Sequence, residues 1–199
     1  MFAQMITGTV NDTEGLRRQH EKWIAELRPG ADGFIDTTAG VAADGRFVLL
    51  ARFESPEAAR ANSDRPEQGA WWKETEPFLR DVEFFDSTDV TTMGEGVSRS
   101  AGFLQVMNGR ILDEATYQQM LEKTVLSTEM KEFRPDVVGG VTVRHSGDRY
   151  ADFVYFTSEA EARENEAKDM PPELAADFEA MMAAAVIDEF VDIADPWIG

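Results

Sequence analysis

The chain contains an internal repeat, and this feature constrains its fold more than any other. The segment RFVLLARFESPEAARAN, which starts at Arg46, matches RYADFVYFTSEAEAREN, which starts at Arg149. Two further pairs of segments match in the same order, namely FAQMITGTV with FLQVMNGRI and FFDSTD with FVDIAD. The shift between the halves grows only from 101 to 106 residues, as short loop insertions would produce. The chain is therefore a tandem duplication, and we expect the two repeats to share one fold.

Hydrophobic periodicity and capping residues predict six elements in each repeat. In the first repeat, FAQMITGTV alternates as a strand does, and NDTEGLRRQHEKWIAELRPG has the start and stop residues of a helix. The hairpin GFIDTTAGVA–RFVLLARFE follows, then the helical segments SPEAARANS and EQGAWWKETEPFLR and the strand DVEFFDSTD. This β-α-β-β-α-β order is ferredoxin-like. We predict one such repeat over residues 1–90, a linker over 91–101 and a second repeat over 102–199.

The third strand of each repeat is apolar on both faces. In RFVLLARF, Phe47 and Leu49 point to one face, whereas Val48 and Leu50 point to the other. A strand with two apolar faces is buried on both. Helices cover one face of each sheet, so the other face also needs a cover. The predicted fold class is α+β, with two fused ferredoxin-like repeats packed sheet to sheet.

Composition limits the partners of this chain. Its net charge of −19 argues against binding to nucleic acid or to an anionic membrane surface, because both favour Lys and Arg. Without cysteine, the chain has neither disulfides nor thiolate metal ligands. The first residues, MFAQMITGTV, lack the basic segment and the apolar core of a signal peptide, so a cytoplasmic location is expected.

The segments FESPEAARAN and FTSEAEAREN after the third strand, together with the terminal VEFFD strand, resemble the dimeric α/β-barrel superfamily. Within it, the chain is most similar to the antibiotic-biosynthesis monooxygenase (ABM) domain, over both repeats. The resemblance implies an intramolecular dimeric α/β barrel, an internal pseudo-dimer whose further homodimerisation is left open. It implies a cofactor-independent monooxygenase acting on a small aromatic or polyketide-like molecule. The alternative is a non-catalytic small-molecule-binding or structural protein of the same fold.

His20 is the most informative difference between the repeats. The first helix carries an inward stripe of residues, and His20 stands where the second repeat has Leu121. The two stripes are Leu16, His20, Ile24 and Leu27, and Tyr117, Leu121, Val125 and Thr128. Three roles are open for His20: a buried structural histidine, a proton-transferring or substrate-orienting catalytic residue, or a ligand of haem or a metal. We expect a working pocket in the repeat that holds His20 and the Trp pair.

The Trp pair, Trp71 and Trp72, supplies two candidate ligand-binding residues. Trp72 aligns with Phe178 and is expected in the core, whereas Trp71 aligns with Asp177 and is expected outside the core stripe. For Trp71, a place at a partner surface or pocket rim and simple partial burial are equally good readings. Haem-degrading relatives carry a histidine about three turns after a tryptophan on this helix, and WWKETEPFLRDVEFF contains none. No cofactor and no metal site are therefore predicted.

Three polar residues of the strands are further candidates for ligand binding. Arg52 and Tyr155 are equivalent residues of the third strands, and Asn108 lies on the first strand of the second repeat. Polar side chains on strands buried from both sides need hydrogen-bond partners. A cavity holding a small hydrophobic ligand with polar groups would supply them, and so would mutual hydrogen bonds in a closed core.

Overall fold

The computed structural model describes residues 1–94, 96–121, 123 and 127–199, so Val125 lies outside the described residues. The chain divides into two compact units. The first unit comprises Met1–Val90 together with Asp195–Gly199, and the second comprises Thr91–Ala194.

The first unit is a five-stranded antiparallel sheet with helices. Its strand order is β10-β2-β3-β1-β4. The strands are β1 Phe2–Val10, β2 Phe34–Val41, β3 Arg46–Phe53, β4 Leu79–Ser87 and β10 Trp197–Ile198. The helices are α1 Thr13–Lys22, α2 Pro56–Ser63 and α3 Pro66–Thr75, with a π-helical turn at Trp23–Leu27 and 3-10 turns at Arg28–Gly30 and Glu76–Phe78.

The second unit repeats this arrangement with the order β5-β7-β8-β6-β9. Its strands are β5 Val90–Met93, β6 Phe103–Ile111, β7 Val137–His145, β8 Arg149–Phe156 and β9 Ala185–Ile193. Its described helices are α4 Glu114–Met120, α5 Thr128–Phe133, α6 Glu159–Glu166 and α7 Pro172–Ala184. The predicted α+β class and the β-α-β-β-α-β order of each repeat are confirmed.

Two short strands lie outside the predicted plan. β5 falls at the start of the segment predicted as a linker, and it is the edge strand beside β7. β10 follows the last strand of the second repeat, yet it pairs with β2 and belongs to the first unit. The compact units therefore differ from the predicted ranges at the linker and at residues 195–199.

Both faces of the central strands are buried, as the alternation in RFVLLARF predicts. On the helix side, Phe47 packs with Leu16 of α1 and with Leu79. On the opposite face, Val48 and Leu50 expose 4% and 0% of their surface. The third strand of the second unit follows the same pattern, so the strands that carry the candidate residues are shielded from water on both sides.

Candidate functional site

The second unit contains a cavity of about 310 Å³ between the helix side of its sheet and the helices α4, α5 and α7. The size is at the lower end of that of ligand pockets in proteins. Most of the lining is apolar, and methionines are frequent in it. The apolar lining includes Met107, Leu121, Met130, Phe178, Met181 and Ile187.

Polar groups line this cavity on the side of the sheet. Asp152 lies on β8, the central strand, beside Met107 of β6 and Thr142 of β7. Tyr150 precedes it by two residues on the same face, and its ring centroid is 6.1 Å from that of Tyr117 on α4. All five side chains line the cavity, and this group of residues brings one carboxyl group and three hydroxyl groups to an otherwise apolar interior.

Asp152 is the polar group that the surrounding protein leaves without a full set of partners. Its Oδ1 is buried and has no hydrogen-bond partner among the described residues. Burial raises the pKa of the Asp152 carboxyl to about 6, and a hydrogen bond with the Thr142 side chain opposes this rise. The carboxylate form therefore prevails at neutral pH while remaining a better proton acceptor than an exposed aspartate.

The two tyrosines beside Asp152 stay protonated. Burial raises the pKa of Tyr117 and of Tyr150 above the usual value of 10, and the nearby negative charge of Asp152 raises both further. Their hydroxyl groups are therefore hydrogen-bond donors at any physiological pH.

The corresponding space in the first unit is much smaller. This void measures about 20 Å³. Four residues that face the large cavity carry a hydroxyl or a carboxyl group, whereas their equivalents in the first unit are apolar. The pairs are Tyr117 and Leu16, Thr142 and Ala39, Tyr150 and Phe47, and Asp152 and Leu49.

Trp197 fills this space in the first unit. It pairs with Ala39 of β2 and is 7% exposed, in one cluster with Leu16 and Phe47. Extending the match of FFDSTD with FVDIAD makes Thr91 its equivalent, and Thr91 lines the large cavity. The structure therefore places the large cavity in the second unit, whereas the repeat with His20, in which we expected the working pocket, has the small void.

His20 is buried and lies at the small void. Its Nε2 has no hydrogen-bond partner among the described residues, and its ring centroid is 5.8 Å from that of Trp197. Burial is the larger of two causes that lower the pKa of His20 to about 4, and the positive charge of Arg17 is the other. His20 is therefore a neutral imidazole at neutral pH.

The Trp pair also lines the small void, but the expected burial of its two members is reversed. Trp71 is 9% exposed and packs with Trp23, Leu27 and Ala31, whereas Trp72 is only partly buried. The indole Nε1 of Trp71 donates to the Gln19 carbonyl oxygen at 2.9 Å. Trp71 is in the core because the turn that follows α1 covers it, which an alignment with Asp177 does not reveal.

Arg52 is a structural residue. Its Nε donates to Asp36 Oδ1 at 2.7 Å and its Nη2 donates to Asp36 Oδ2, so the ion pair is bidentate. The Arg52 and Asp36 side chains are 3% and 16% exposed, and neither lines the cavity of the second unit or the small void of the first. The ion pair satisfies the buried guanidinium without a ligand.

The last two predicted residues also lie away from the described cavities. Tyr155 is fully buried on the face of β8 opposite Asp152, and it lines neither cavity. Asn108 donates from Nδ2 to Glu189 Oε2 at 3.2 Å near the surface. The structure thus brings His20, Trp71 and Trp72 together around a small void.

Sequence comparison of the repeats overlooked Asp152, the residue with the most unusual surroundings. The signal was present, because YADFVYF places a charge where RFVLLARF has Leu49. Within the described part of the chain, no three His, Asp or Glu side chains are placed to hold a metal ion. None of the described helices is long and apolar enough to cross a membrane.

The chain shares its fold with solved structures of candidate monooxygenases, so the ABM-like resemblance predicted from the sequence is confirmed at the level of the fold. No protein-family model matches the chain, and no curated protein matches it either. The likeness is therefore one of structure rather than of sequence.

Three solved structures illustrate this likeness. A candidate monooxygenase from Lactobacillus acidophilus is 11% identical, with 96% of this chain and 91% of the other covered and a TM-score of 0.71. A second candidate monooxygenase, from Fusobacterium nucleatum, is 5% identical, with coverages of 99% and 93% and a TM-score of 0.72. An anthrone oxidase-like protein is 10% identical, with coverages of 100% and 92% and a TM-score of 0.64.

Proposed function

We propose that the second unit is a cofactor-independent monooxygenase that binds a small aromatic molecule in its cavity and oxygenates it with dioxygen. The observation that carries the proposal is Asp152, a carboxyl group with an unpartnered buried oxygen inside an otherwise apolar cavity. A buried acceptor without a partner is costly, and a ligand that donates a proton or a hydrogen bond would remove this cost.

The lining supports an aromatic ligand. Phe178, Tyr117 and Tyr150 offer ring faces and edges, and Met107 and Met181 offer polarisable sulfur atoms that pack well against aromatic rings. An apolar cavity of 150 Å³ is known to take benzene, so one of about 310 Å³ suits two or three fused rings. The hydroxyls of the tyrosines then lie where they can donate to a ligand oxygen.

The reaction needs no bound cofactor when the substrate itself supplies the electrons. For a ring methylene of the anthrone type, the Asp152 carboxylate takes one proton, and the resulting carbanion forms a bond between carbon and dioxygen. Asp152 returns the proton to the peroxide. The carbon then loses its second hydrogen as a proton while the O–O bond breaks, and this proton leaves with the departing hydroxide as water. One oxygen atom becomes the carbonyl oxygen of the product and the other leaves as water, so the four electrons lost by carbon reduce dioxygen fully. The tyrosine hydroxyls stabilise the anion by donating hydrogen bonds.

Oxygen uptake with anthrone as the probe tests the proposal. We expect the protein to consume one dioxygen per anthrone and to form anthraquinone, above the spontaneous rate in the same buffer. Asp152→Asn keeps the size of the residue but removes the base, and should lower the catalysed rate by about 100-fold or more. Asp152→Leu, which restores the residue of the first unit, should do the same.

The alternative, a non-catalytic binding protein, gives a different result. In that case anthrone or 1-naphthol binds to the wild-type protein, measured by calorimetry without oxygen, while no catalysed oxygen uptake occurs. If neither probe binds, the cavity is not an aromatic site and the proposal is wrong. His20, Trp71 and Trp72 stay predictions for the first unit, and we propose no step of this reaction for them.

A further inference from the structure

Two cationic side chains line the cavity at the end of α5. Lys131 is exposed, whereas Arg134, the residue that caps α5, is partly buried. Asp152, by contrast, has an Oδ1 atom that is inaccessible to solvent. The cavity therefore has a carboxyl group at its inner end and positive charges where it approaches solvent.

Arg134 is held in a fixed orientation. Its Nε and Nη2 donate to the Oδ1 and Oδ2 of Asp136 at 3.0 and 2.8 Å, and the Asp136 side chain is 1% exposed. The guanidinium carbon lies 5.6 Å from the ring centroid of Phe156, which also lines the cavity. Within the described part of the chain, Nη1 of Arg134 makes no hydrogen bond. The guanidinium group is thus oriented and still has donors available.

The fold does not require this ion pair. Arg134 is equivalent to Ala31, because each carbonyl accepts the amide of the first residue of the next strand. In the same way, Asp136 is equivalent to Gly33. The Asp136 carbonyl accepts the amide of the residue that follows β8, and the Gly33 carbonyl accepts the amide of the residue that follows β3. The first unit builds the same turn with two uncharged residues. A buried ion pair is weak evidence of stability, so its presence beside the cavity favours a role in binding.

One acidic side chain, Glu166, lines the cavity as well. The Arg163 Nη1 donates to its Oε2 at 3.0 Å, and the same guanidinium group also pairs with Asp192 and Glu159. Lys131 has no ion-pair partner among the described residues. In a chain with a net charge of −19, an anionic ligand is repelled at long range, so it needs such local cations to bind.

We propose that the ligand of this cavity is a hydroxylated aromatic carboxylic acid, with its carboxylate against Lys131 and Arg134 and its hydroxyl-bearing ring towards Asp152. This inference rests on the proposed function, because it takes the cavity to be an aromatic site. It adds that the ligand carries a carboxylate as a second polar group, and it gives the orientation of the ligand in the cavity.

Calorimetry with matched probes tests the inference in the absence of oxygen. The probes are 6-hydroxy-2-naphthoate, its methyl ester and 2-naphthol, at pH 7.5. We expect the naphthoate to bind about tenfold or more tightly than the ester, because a hydrogen bond to a charged group is worth more than one to a neutral group. The advantage of the naphthoate should shrink as salt is added, since Lys131 is exposed.

Variants locate the carboxylate. Lys131→Gln should weaken naphthoate binding about three- to tenfold and leave the ester unchanged. Lys73→Gln, at an exposed lysine of the first unit, removes the same charge elsewhere and should change neither. Arg134→Ala leaves Asp136 buried and unpaired, so it is combined with Asp136→Asn. This double variant should lose most of the preference for the naphthoate while still binding the ester.

The outcomes separate this inference from the proposed function. If the ester binds as tightly as the naphthoate, or if Lys131→Gln weakens both equally, the carboxylate site is wrong while the aromatic cavity stands. If the naphthoate, the ester and 2-naphthol all fail to bind, the proposed function itself is wrong.

Discussion

The indole ring of Trp197 lies 5.8 Å from the imidazole ring of His20, in the apolar space between the sheet of the first unit and α1. In the second unit, the residue equivalent to Trp197 is Thr91, and the corresponding space is the cavity of about 310 Å³. A large side chain at this one position fills the first unit, and a small one leaves the second unit open.

Thr91→Trp should therefore close the cavity. The new indole ring would enter it as Trp197 enters its own space, so we expect 1-naphthol binding and oxygen uptake to be lost. The free energy of unfolding should not fall, because the ring buries apolar surface. Binding is measured by calorimetry and stability by urea denaturation.

Thr91→Val is the matched control, since it changes the same residue without adding bulk. It should bind 1-naphthol like the wild type. If Thr91→Trp still binds the probe with unchanged affinity, then either the ligand binds elsewhere or the equivalence of Thr91 with Trp197 does not extend to side-chain direction.

His20→Leu should stabilise the first unit, and more so in acid. The pKa of His20 is about 4 in the folded protein against 6.5 for a free histidine, so the unfolded chain binds the proton first as the pH falls. The wild type should thus lose about 2 kcal/mol relative to the variant between pH 7.5 and pH 5. Tryptophan fluorescence during urea unfolding reports this, because all four tryptophans lie in the first unit.

His145→Leu serves as the comparison for this measurement. His145 is only half-buried and lies in the second unit, and its partial burial lowers its pKa. Its replacement should leave the pH dependence of the fluorescence transition unchanged. Equal stability of wild type and His20→Leu at pH 5 would show that His20 is solvated or paired in the native protein.

The rate of anthrone oxygenation should depend on the ionisation of Asp152. Because the carboxylate is the base and the pKa of its carboxyl is about 6, kcat/KM should fall about tenfold per pH unit below that value and level off above it. Oxygen uptake at low substrate concentration, corrected for the spontaneous reaction, measures the profile. A residual rate in Asp152→Asn with the same pH dependence would assign the ionisation to another group.

Arg52→Met should destabilise the first unit strongly. It leaves the Asp36 carboxylate poorly solvated and without its bidentate partner, at a cost of about 3–5 kcal/mol. The double variant Arg52→Met/Asp36→Leu removes both charges and should recover most of this loss. Urea unfolding followed by fluorescence compares them. A double variant less stable than Arg52→Met would mean that Asp36 has a role beyond the ion pair.

The elements of the fold could be predicted from the sequence because local signals and the repeat agree. The Ser55 and Ser158 caps, for example, accept from Ala58 and Glu161 amides as predicted for helix starts. Strand β5 could not be predicted, because VTTM is too short and too polar to show a period. Strand β10 could not be assigned to the first sheet, since pairing partners are set by tertiary contacts.

None of the six candidate residues predicted from the sequence lines the large cavity. Comparison of the repeats correctly identified His20 as a polar residue in an apolar stripe, and the same comparison would have identified Asp152 against Leu49. It could not show that Arg52 has Asp36 as a partner, because the two residues come together only through the register of β2 and β3. Cavity volume depends on Trp197, which lies far from the rest of the first unit in sequence.

The position of β10 in the first sheet has a consequence for biosynthesis. Small domains usually fold as soon as they have emerged from the ribosome, the N-terminal one first. Here the first unit lacks Trp197, the side chain that fills its interior, until the whole of the second unit has been translated. The first unit can therefore complete its hydrophobic core only after residues 195–199 have been translated.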